Sequence, residues 1–382
     1  MKIICAPDSF KESISAIAAS SAMADGILNV LPNAVIDRCP VGDGGEGTLD
    51  ALLESGGGQR IEVRVAGPFG KKVEASFGIL GRRQIAFIES AMAIGLPLIP
   101  ANQRDVMSTT SFGVGGLLLR AIADESTEII IGVGGSATND GGCGMAQALG
   151  VRFFDDQDKL IEQPICGEML GMISRIDTTS RNPALDDISV TIACDVNNPL
   201  TGSNGAARIY APQKGASTEQ VEQLDAGLAN LAMLIRRDLG IEIEHIAGAG
   251  AGGGLGGGLV AFAGASIESG IDTVLNAVNF HERVRDCDLC LTGEGRLDAQ
   301  SVTGKACIGV AKAAALQDVP TIALVGSVGP GVEKNLTAGL ADYFLIGEGL
   351  PVEESMRCAA SLIAETAAKV AEKFSGPGNA AP

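Results

Sequence analysis

The chain reads as an α/β protein in which a Rossmann-like parallel-sheet domain is interrupted by an inserted mixed α/β domain. Three observations predict this. Near both ends, short apolar runs alternate with helical segments, the pattern of βαβ units and a parallel sheet. In between, the pattern switches to alternation with period two around a Gly-Pro turn, as in an antiparallel meander. The length of 382 residues suits about two domains at roughly 100–200 residues each. With 46% hydrophobic and 19% charged residues, packed cores are expected and disorder as the main state is excluded.

The elements follow in order. Residues 2–6 form a first apolar run ending at Pro7-Asp8, and Ser9-x-x-Glu12 reads as a capping box. Ile14, Ile17, Ala18, Ser21, Ala24, Leu28 and Leu31 follow at helical spacing. Residues 34–41 suggest a second strand, and 44–55 a short helix stopped by three glycines. The meander comprises 61–65, the turn Gly67-Pro68-Phe69-Gly70, 73–79 and 85–88. Val221, Leu224, Leu228, Leu231, Ile235 and Leu239 mark a long amphipathic helix ended by Gly240. Toward the C-terminus, strands are expected at 287–292, 321–326 and 342–346, with helices at 305–316, 332–338 and 352–374. Residues 375–382 read as a frayed tail. The boundaries place 1–60 with 271–382 in the Rossmann-like domain and 61–270 in the insert. The active site is expected in the cleft between them.

Composition narrows the function classes. Acids outnumber bases 46 to 28, a formal charge of −18. Nucleic-acid binding needs concentrated positive charge, so a polynucleotide partner is not expected. No run approaches the ~20 apolar residues of a membrane span, and the N-terminal run is too short for a signal peptide. Nine scattered cysteines suit a reduced cytoplasmic protein rather than a disulfide framework. Cys287-x-x-Cys290 lacks the second pair of a zinc site. Two histidines, His245 and His281, come without a G-x-S-x-G elbow. Glycine is the outlier, 52 of 382 residues, about twice the usual share.

Those glycines fall at strand-to-helix junctions. After the strand-like run 128–133 comes Gly134-Gly135-Ser136-Ala137-Thr138-Asn139-Asp140-Gly141-Gly142. Missing Cβ atoms let backbone N–H groups approach an oxygen-rich ligand, and a helix N-terminus adds partial positive charge. This is a candidate phosphate loop; a tight turn capped by Asn139 or Asp140 is the plainer alternative. The run 248–258 matches G-x-G-x-x-G more than once, with Glu268 placed like the acid of a dinucleotide fingerprint. No apolar strand is expected at 264–269 to present that acid, so the context fails. Close helix packing and a mobile hinge are the structural alternatives for this run. Gly304-Lys305 resembles the end of a Walker motif, but Ala299 and Ala306 break the pattern. Lys305 remains a candidate phosphate contact at a helix start, with a solvated lysine the equal alternative.

Carboxylates sit where strands end: Asp8, Asp195, Asp43 and Glu46 around Gly44-Gly45, and Glu294 and Asp298 around Arg296. In open α/β sheets, ligands collect at the carboxyl ends of strands. Acids there suit Mg²⁺ binding or acceptance of a hydroxyl proton, while helix capping explains any one of them singly. Arg296, Lys214 and Lys11 are the basic candidates for a substrate carboxylate or a phosphoryl group.

Six stretches carry a family resemblance: 6–13 (APDSFKES), 41–48 (VGDGGEGT), 134–142 (GGSATNDGG), 193–200 (ACDVNNPL), 212–216 (PQKGA) and 293–301 (GEGRLDAQS). Together they resemble the glycerate kinase type-1 family, in register from residue 1 to about 330. Three departures accompany the match. Gly42 replaces a usual alanine, Phe112-Gly-Val-Gly-Gly116 replaces a more polar version, and the last fifty or so residues match loosely. The resemblance implies two α/β domains and ATP- and Mg²⁺-dependent phosphorylation of D-glycerate, commonly at the 2-hydroxyl. On that basis Asp195 is the expected general base, with Asp8 the alternative. Lys214 and Arg296 steady the phosphoryl group or the glycerate carboxylate. Gly134, Gly135, Ser136, Thr138, Asn139 and Lys305 bind the nucleotide. Ser9, Lys11, Asp43, Glu46 and Glu294 bind substrate, and Asp43 and Asp195 are the metal candidates. A monomer or homodimer serves equally. Rival expectations are 3-phosphorylation, a non-catalytic nucleotide sensor, and a dinucleotide-dependent oxidoreductase built on 248–258.

Overall fold

The computed structural model describes residues 1–81, 84–303 and 305–375. In chain order the strands are β1 (Lys2–Cys5), β2 (Val35–Arg38), β3 (Gly58–Ala66), β4 (Lys72–Leu80), β5 (Ile85–Glu89), β6 (Glu128–Gly132) and β7 (Arg152–Phe154), then β8 (Arg175–Asp177), β9 (Ser189–Ala193), β10 (Ser266–Glu268), β11 (Leu289–Leu297), β12 (Thr321–Val328) and β13 (Asp342–Leu345). The chain divides into two compact units, one of Met1–Asp43, Asp50–Gly57 and Ser269–Pro382, the other of Gly44–Leu49 and Gly58–Glu268.

In the first unit the sheet runs β13-β12-β11-β1-β2, every pairing parallel. Ile3, Ile4 and Cys5 are all buried, as a strand covered on both faces requires. Alternation along β12 separates the two faces. Ile322 and Leu324 pack with Ile3, Met23 and Ile27 of helix Ala16–Val30 and with Ile363 and Val370 of helix Ala359–Ser375. Ala323 and Val325 pack instead with Cys307, Ile308 and Ala311 of helix Ala306–Ala315. The β1-to-β2 and β11-to-β12 crossovers therefore lie on opposite faces and lead to opposite sides of the sheet. That makes the carboxyl ends of β1 and β11 a topological switch point.

Local details differ from the sequence expectations. Ser9 and Glu12 form no capping box, because Glu12 takes a left-handed φ of 65° and residues 10–14 close a turn, with Phe10 N–H bonded to the Ile14 carbonyl at 2.9 Å. The helix starts later, with Ser15 Oγ accepting from Ala18 N. The run expected to end at 292 continues as β11 to Leu297, so Glu294 and Arg296 sit on the strand rather than after it. The helix expected over 352–374 is two, Val352–Arg357 and Ala359–Ser375. Residues 376–382 of the expected tail lie outside the described residues.

The second unit holds a mixed sheet in the order β10-β9-β6-β5-β4-β3. The expected meander is there: β3, β4 and β5 pair antiparallel. Its first turn closes through Gly67 N–H on the Lys71 carbonyl at 2.6 Å. From β5 onward the pairings with β6, β9 and β10 are parallel. A small antiparallel pair, β7-β8, stands apart. Helix Thr218–Leu239 starts on a full capping box of Ser217 and Gln220 and stops at left-handed Gly240. Contrary to expectation, 264–269 does contain a strand, the three-residue β10 carrying Glu268. The dinucleotide context still fails, since no strand leads into the glycine run among described residues 241–250. No helix of the described residues is long and apolar enough to cross a membrane.

Gly26 marks where the two helices on one face of the first sheet meet, since a Cβ there would lie 2.0 Å from the Ala364 carbonyl oxygen. Gly26→Ala is expected to push these helices apart and cost about 1–3 kcal/mol, read by denaturant unfolding; an unchanged midpoint refutes the close approach.

Candidate functional site

In the first unit a cavity of about 450 Å³ opens at the switch point, within the usual range for small-molecule sites. Asp8 follows β1 and is buried; its own backbone neighbour Ser9 donates N–H to Asp8 Oδ1 at 2.6 Å. Burial, followed by the Asp43 charge, raises the Asp8 carboxyl to about 7 against the partial relief of that hydrogen bond. Glu294 of β11 accepts from Ser301 Oγ at 3.2 Å. Burial pushes it to about 7 as well, moderated by the Lys305 charge. Three cations line the same space. Lys11 is exposed, 3.7 Å from Asp43 Oδ2, and Arg296 lies 3.3 Å from Asp298. Lys305, the residue before helix Ala306–Ala315, donates to the Arg296 carbonyl at 3.3 Å. Two carboxyls with raised pKa values beside three cations suit a ligand that brings its own negative charge.

In the second unit the loop after β6 is built around two buried charges. Lys214 is 3% exposed, and its Nζ donates to the Thr138 carbonyl at 2.7 Å and to Ser136 Oγ at 3.1 Å. Burial lowers its pKa to about 7, while the Asp140 charge works the other way. Asp140, fully buried, accepts from Ser111 N and Oγ at 2.7 and 2.8 Å and from Gly142 and Gly144 N–H at 3.1 and 3.2 Å. Desolvation still raises its pKa over those four bonds. Thr138 Oγ1 and both amide atoms of Asn139 are buried with no hydrogen-bond partner among the described residues. Buried polar atoms nearly always find partners, so these three stand out in the loop. Gly134 and Gly135 are exposed on its approach.

The glycine run 248–258 supports this loop. A Cβ on Gly253, whose φ is +76°, would sit 2.0 Å from the Thr138 carbonyl oxygen, the same oxygen that holds Lys214. Its own carbonyl accepts from Gly141 N at 3.2 Å. The run is packing apparatus.

The sequence candidates thus fall into two sets. Asp8, Ser9, Lys11, Asp43, Glu294, Arg296 and Lys305 line the cavity of the first unit. Ser136, Thr138, Asn139 and Lys214 meet in the second unit, where Asp195 stands half-buried two residues past β9 and Glu46 is exposed. Asp43 and Asp195, the expected metal pair, belong to different units, and no group of three His, Cys, Asp or Glu placed to hold a metal occurs among the described residues. Sequence reasoning underrated Asp140, legible only as a helix cap, and passed over Glu89, a buried carboxylate that accepts from Leu49 N at 2.8 Å. Glu89 follows four apolar residues in β5, and that break in an apolar run was the available signal.

Two outcomes test this geometry. A lysine whose pKa falls on folding adds stability that is full above its unfolded pKa of about 10.5 and is lost as pH falls through about 7. Wild-type stability relative to Lys214→Met should therefore rise from pH 7 to 10, by up to about 1.4 kcal/mol per pH unit; a flat difference in urea titrations refutes the desolvated lysine. Gly253→Ala adds positive-φ strain to a 2.0 Å backbone clash and should therefore destabilise the protein more than Gly26→Ala does; an unchanged urea midpoint refutes the close approach.

The comparisons with known proteins agree with one another. The model of the glycerate kinase family matches residues 3–375. A Halalkalibacterium halodurans protein named glycerate kinase is 45% identical over 370 residues, 97% of each chain. An Escherichia coli K12 protein named glycerate 2-kinase is 46% identical over 328 residues, 86% of each. The crystal structure of a Salmonella typhimurium LT2 protein assigned as glycerate kinase 2 superposes with a TM-score of 0.87 at 42% identity, covering 98% of both chains. With the family model spanning nearly its whole length, this chain belongs to the glycerate kinase family.

Proposed function

We propose that the protein transfers the γ-phosphoryl group of ATP to the 2-hydroxyl of D-glycerate, giving 2-phospho-D-glycerate. The observation that carries this is Lys214, a desolvated cation held on a loop whose Thr138 hydroxyl and Asn139 amide find no partner among the described residues. Phosphoryl transfer asks a protein mainly for positioning and charge neutralisation, and such a loop supplies both to an anionic oxygen group. The 2-position is supported by the likeness to the Escherichia coli protein named glycerate 2-kinase.

Roles follow from chemistry. Asp195 is the proposed general base that takes the hydroxyl proton. Asp8, with its carboxyl near 7, is the alternative, since a base works best when its pKa lies near the working pH. Lys214, Arg296, Lys305 and Lys11 neutralise phosphoryl and carboxylate oxygens. Ser9, Asp43, Glu46 and Glu294 complete the proposed contacts, with Gly134, Gly135, Ser136, Thr138 and Asn139 forming the anion loop. Mg²⁺ carried on nucleotide phosphates needs only one or two protein carboxylates. Asp43, with Asp8 or Glu294 beside it in the lining of one cavity, supplies hard oxygen donors of that number, and Asp195 is the other proposed donor. Bound there, Mg²⁺ would neutralise charge on the phosphates. Nine free cysteines, seven of them buried, suit a reducing cytoplasm, and the reaction needs no partner beyond its two small substrates, in a monomer or a homodimer.

A coupled assay of ADP release with D-glycerate, followed by phosphorus-31 NMR of the product, tests the reaction. Release without a C2-phosphorylated product refutes the position, and no release refutes the acceptor. Asp195→Asn should lower kcat by about 10²–10⁴ with the fold intact; near-normal turnover removes Asp195 from the mechanism. If Asp8 is the base, kcat should rise with pH through about 7, and Asp8→Asn should abolish that limb while Asp195→Asn retains it.

A further inference from the structure

The cavity of the first unit has two chemically different walls. One is charged, with Lys11, Arg296 and Lys305 among Asp8, Glu12, Asp43 and Glu294. The other is aliphatic: Ile346 and Gly347 after β13, then Leu350, Val352, Met356 and Ala359 from the turn and the two C-terminal helices. Leu350 and Val352 are 41% and 72% exposed, although the chain buries most of its large apolar side chains. Ser13 Oγ donates to the Met356 carbonyl at 2.7 Å, tying the turn after β1 to the aliphatic wall. We propose that this wall seats the base and ribose of a purine nucleoside triphosphate, whose phosphates point along the charged wall toward Lys11, Arg296 and Lys305.

The reasoning is one of matching surfaces. A three-carbon hydroxy acid has almost no apolar area, so the aliphatic wall would strip its water and return nothing. It would also leave most of the roughly 450 Å³ unfilled. A nucleoside triphosphate is apolar and flat at one end and polyanionic at the other, which requires both walls in one cavity. The described lining carries a single aromatic ring, Phe10, itself 3% exposed, so the base lies against aliphatic side chains instead of stacking on a ring. This rests on the kinase function proposed above.

The test uses the full chain. Leu350→Asp and Val352→Asp place a like charge on the aliphatic wall at exposed positions that tolerate it. Calorimetry should show the Kd for ADP rising by about tenfold or more while the KM for D-glycerate stays within about twofold. Unchanged ADP affinity, or a raised glycerate KM alone, overturns the assignment. In the unsubstituted protein, 8-azido-ADP should photolabel the peptide spanning 346–359, and labelling confined to other peptides overturns it whether or not the variants fold. If D-glycerate is not phosphorylated while ADP binds and is lost in the variants, the acceptor fails and the nucleotide seat stands.

Discussion

The second unit depends on one approach of backbone to backbone. The segment that opens helix Ala251–Ala263 lies so close to the loop after β6 that Gly253 meets Thr138, Gly254 meets Gly141 and Gly258 meets Gly142 with no room for a Cβ. Glycine loses more conformational freedom on folding than any other residue, so this packing costs entropy at several positions. In return the Thr138 carbonyl is fixed where it orients the Lys214 ammonium. The glycine content that sets the chain apart is, in this segment, a spacing device.

Burial then sets the charge of each site. Water is removed from Asp8, Glu294 and Lys214 alike, and each moves toward the neutral form, the acids upward and the lysine downward. A nearby charge shifts the balance at each such group, and one pKa unit is worth about 1.4 kcal/mol. The formal charge of −18 belongs mostly to the surface, where it serves solubility.

Much of this was legible in the sequence because periodicity reports burial. The meander, the long helix ended by Gly240 and the alternating ends all came from spacing of apolar residues. Where periodicity is masked, the structure went its own way. β11 runs on through Thr292-Gly-Glu-Gly-Arg, which looks like a loop because its polar residues serve a cavity. β10 has only three residues, two of them polar, too few to show a period. Ser9 and Glu12 have the spacing of a capping box, but left-handed Glu12 turns the chain away. At the candidate sites, residue type and position singled out Lys214, Asp8 and Glu294, and the fold buries all three. The aliphatic wall of 346–359 was invisible, because nothing in Leu350 or Val352 distinguishes a cavity lining from a core until the fold shows them exposed.

The placement of β1 has a consequence for biosynthesis. Its neighbours in the sheet are β2, some thirty residues on, and β11, with Ile3 opposite Leu289. A ribosome delivers β1 first and β11 only after the whole second unit has emerged. Until then an apolar strand waits with one edge unpaired, a template for association with other chains. The second unit, continuous from Gly58 to Glu268 apart from the short piece at 44–49, has almost all its partners in hand by that point. Nascent chains should therefore hold one finished half and one aggregation-prone half for a large part of synthesis, which is the interval in which a chaperone would matter.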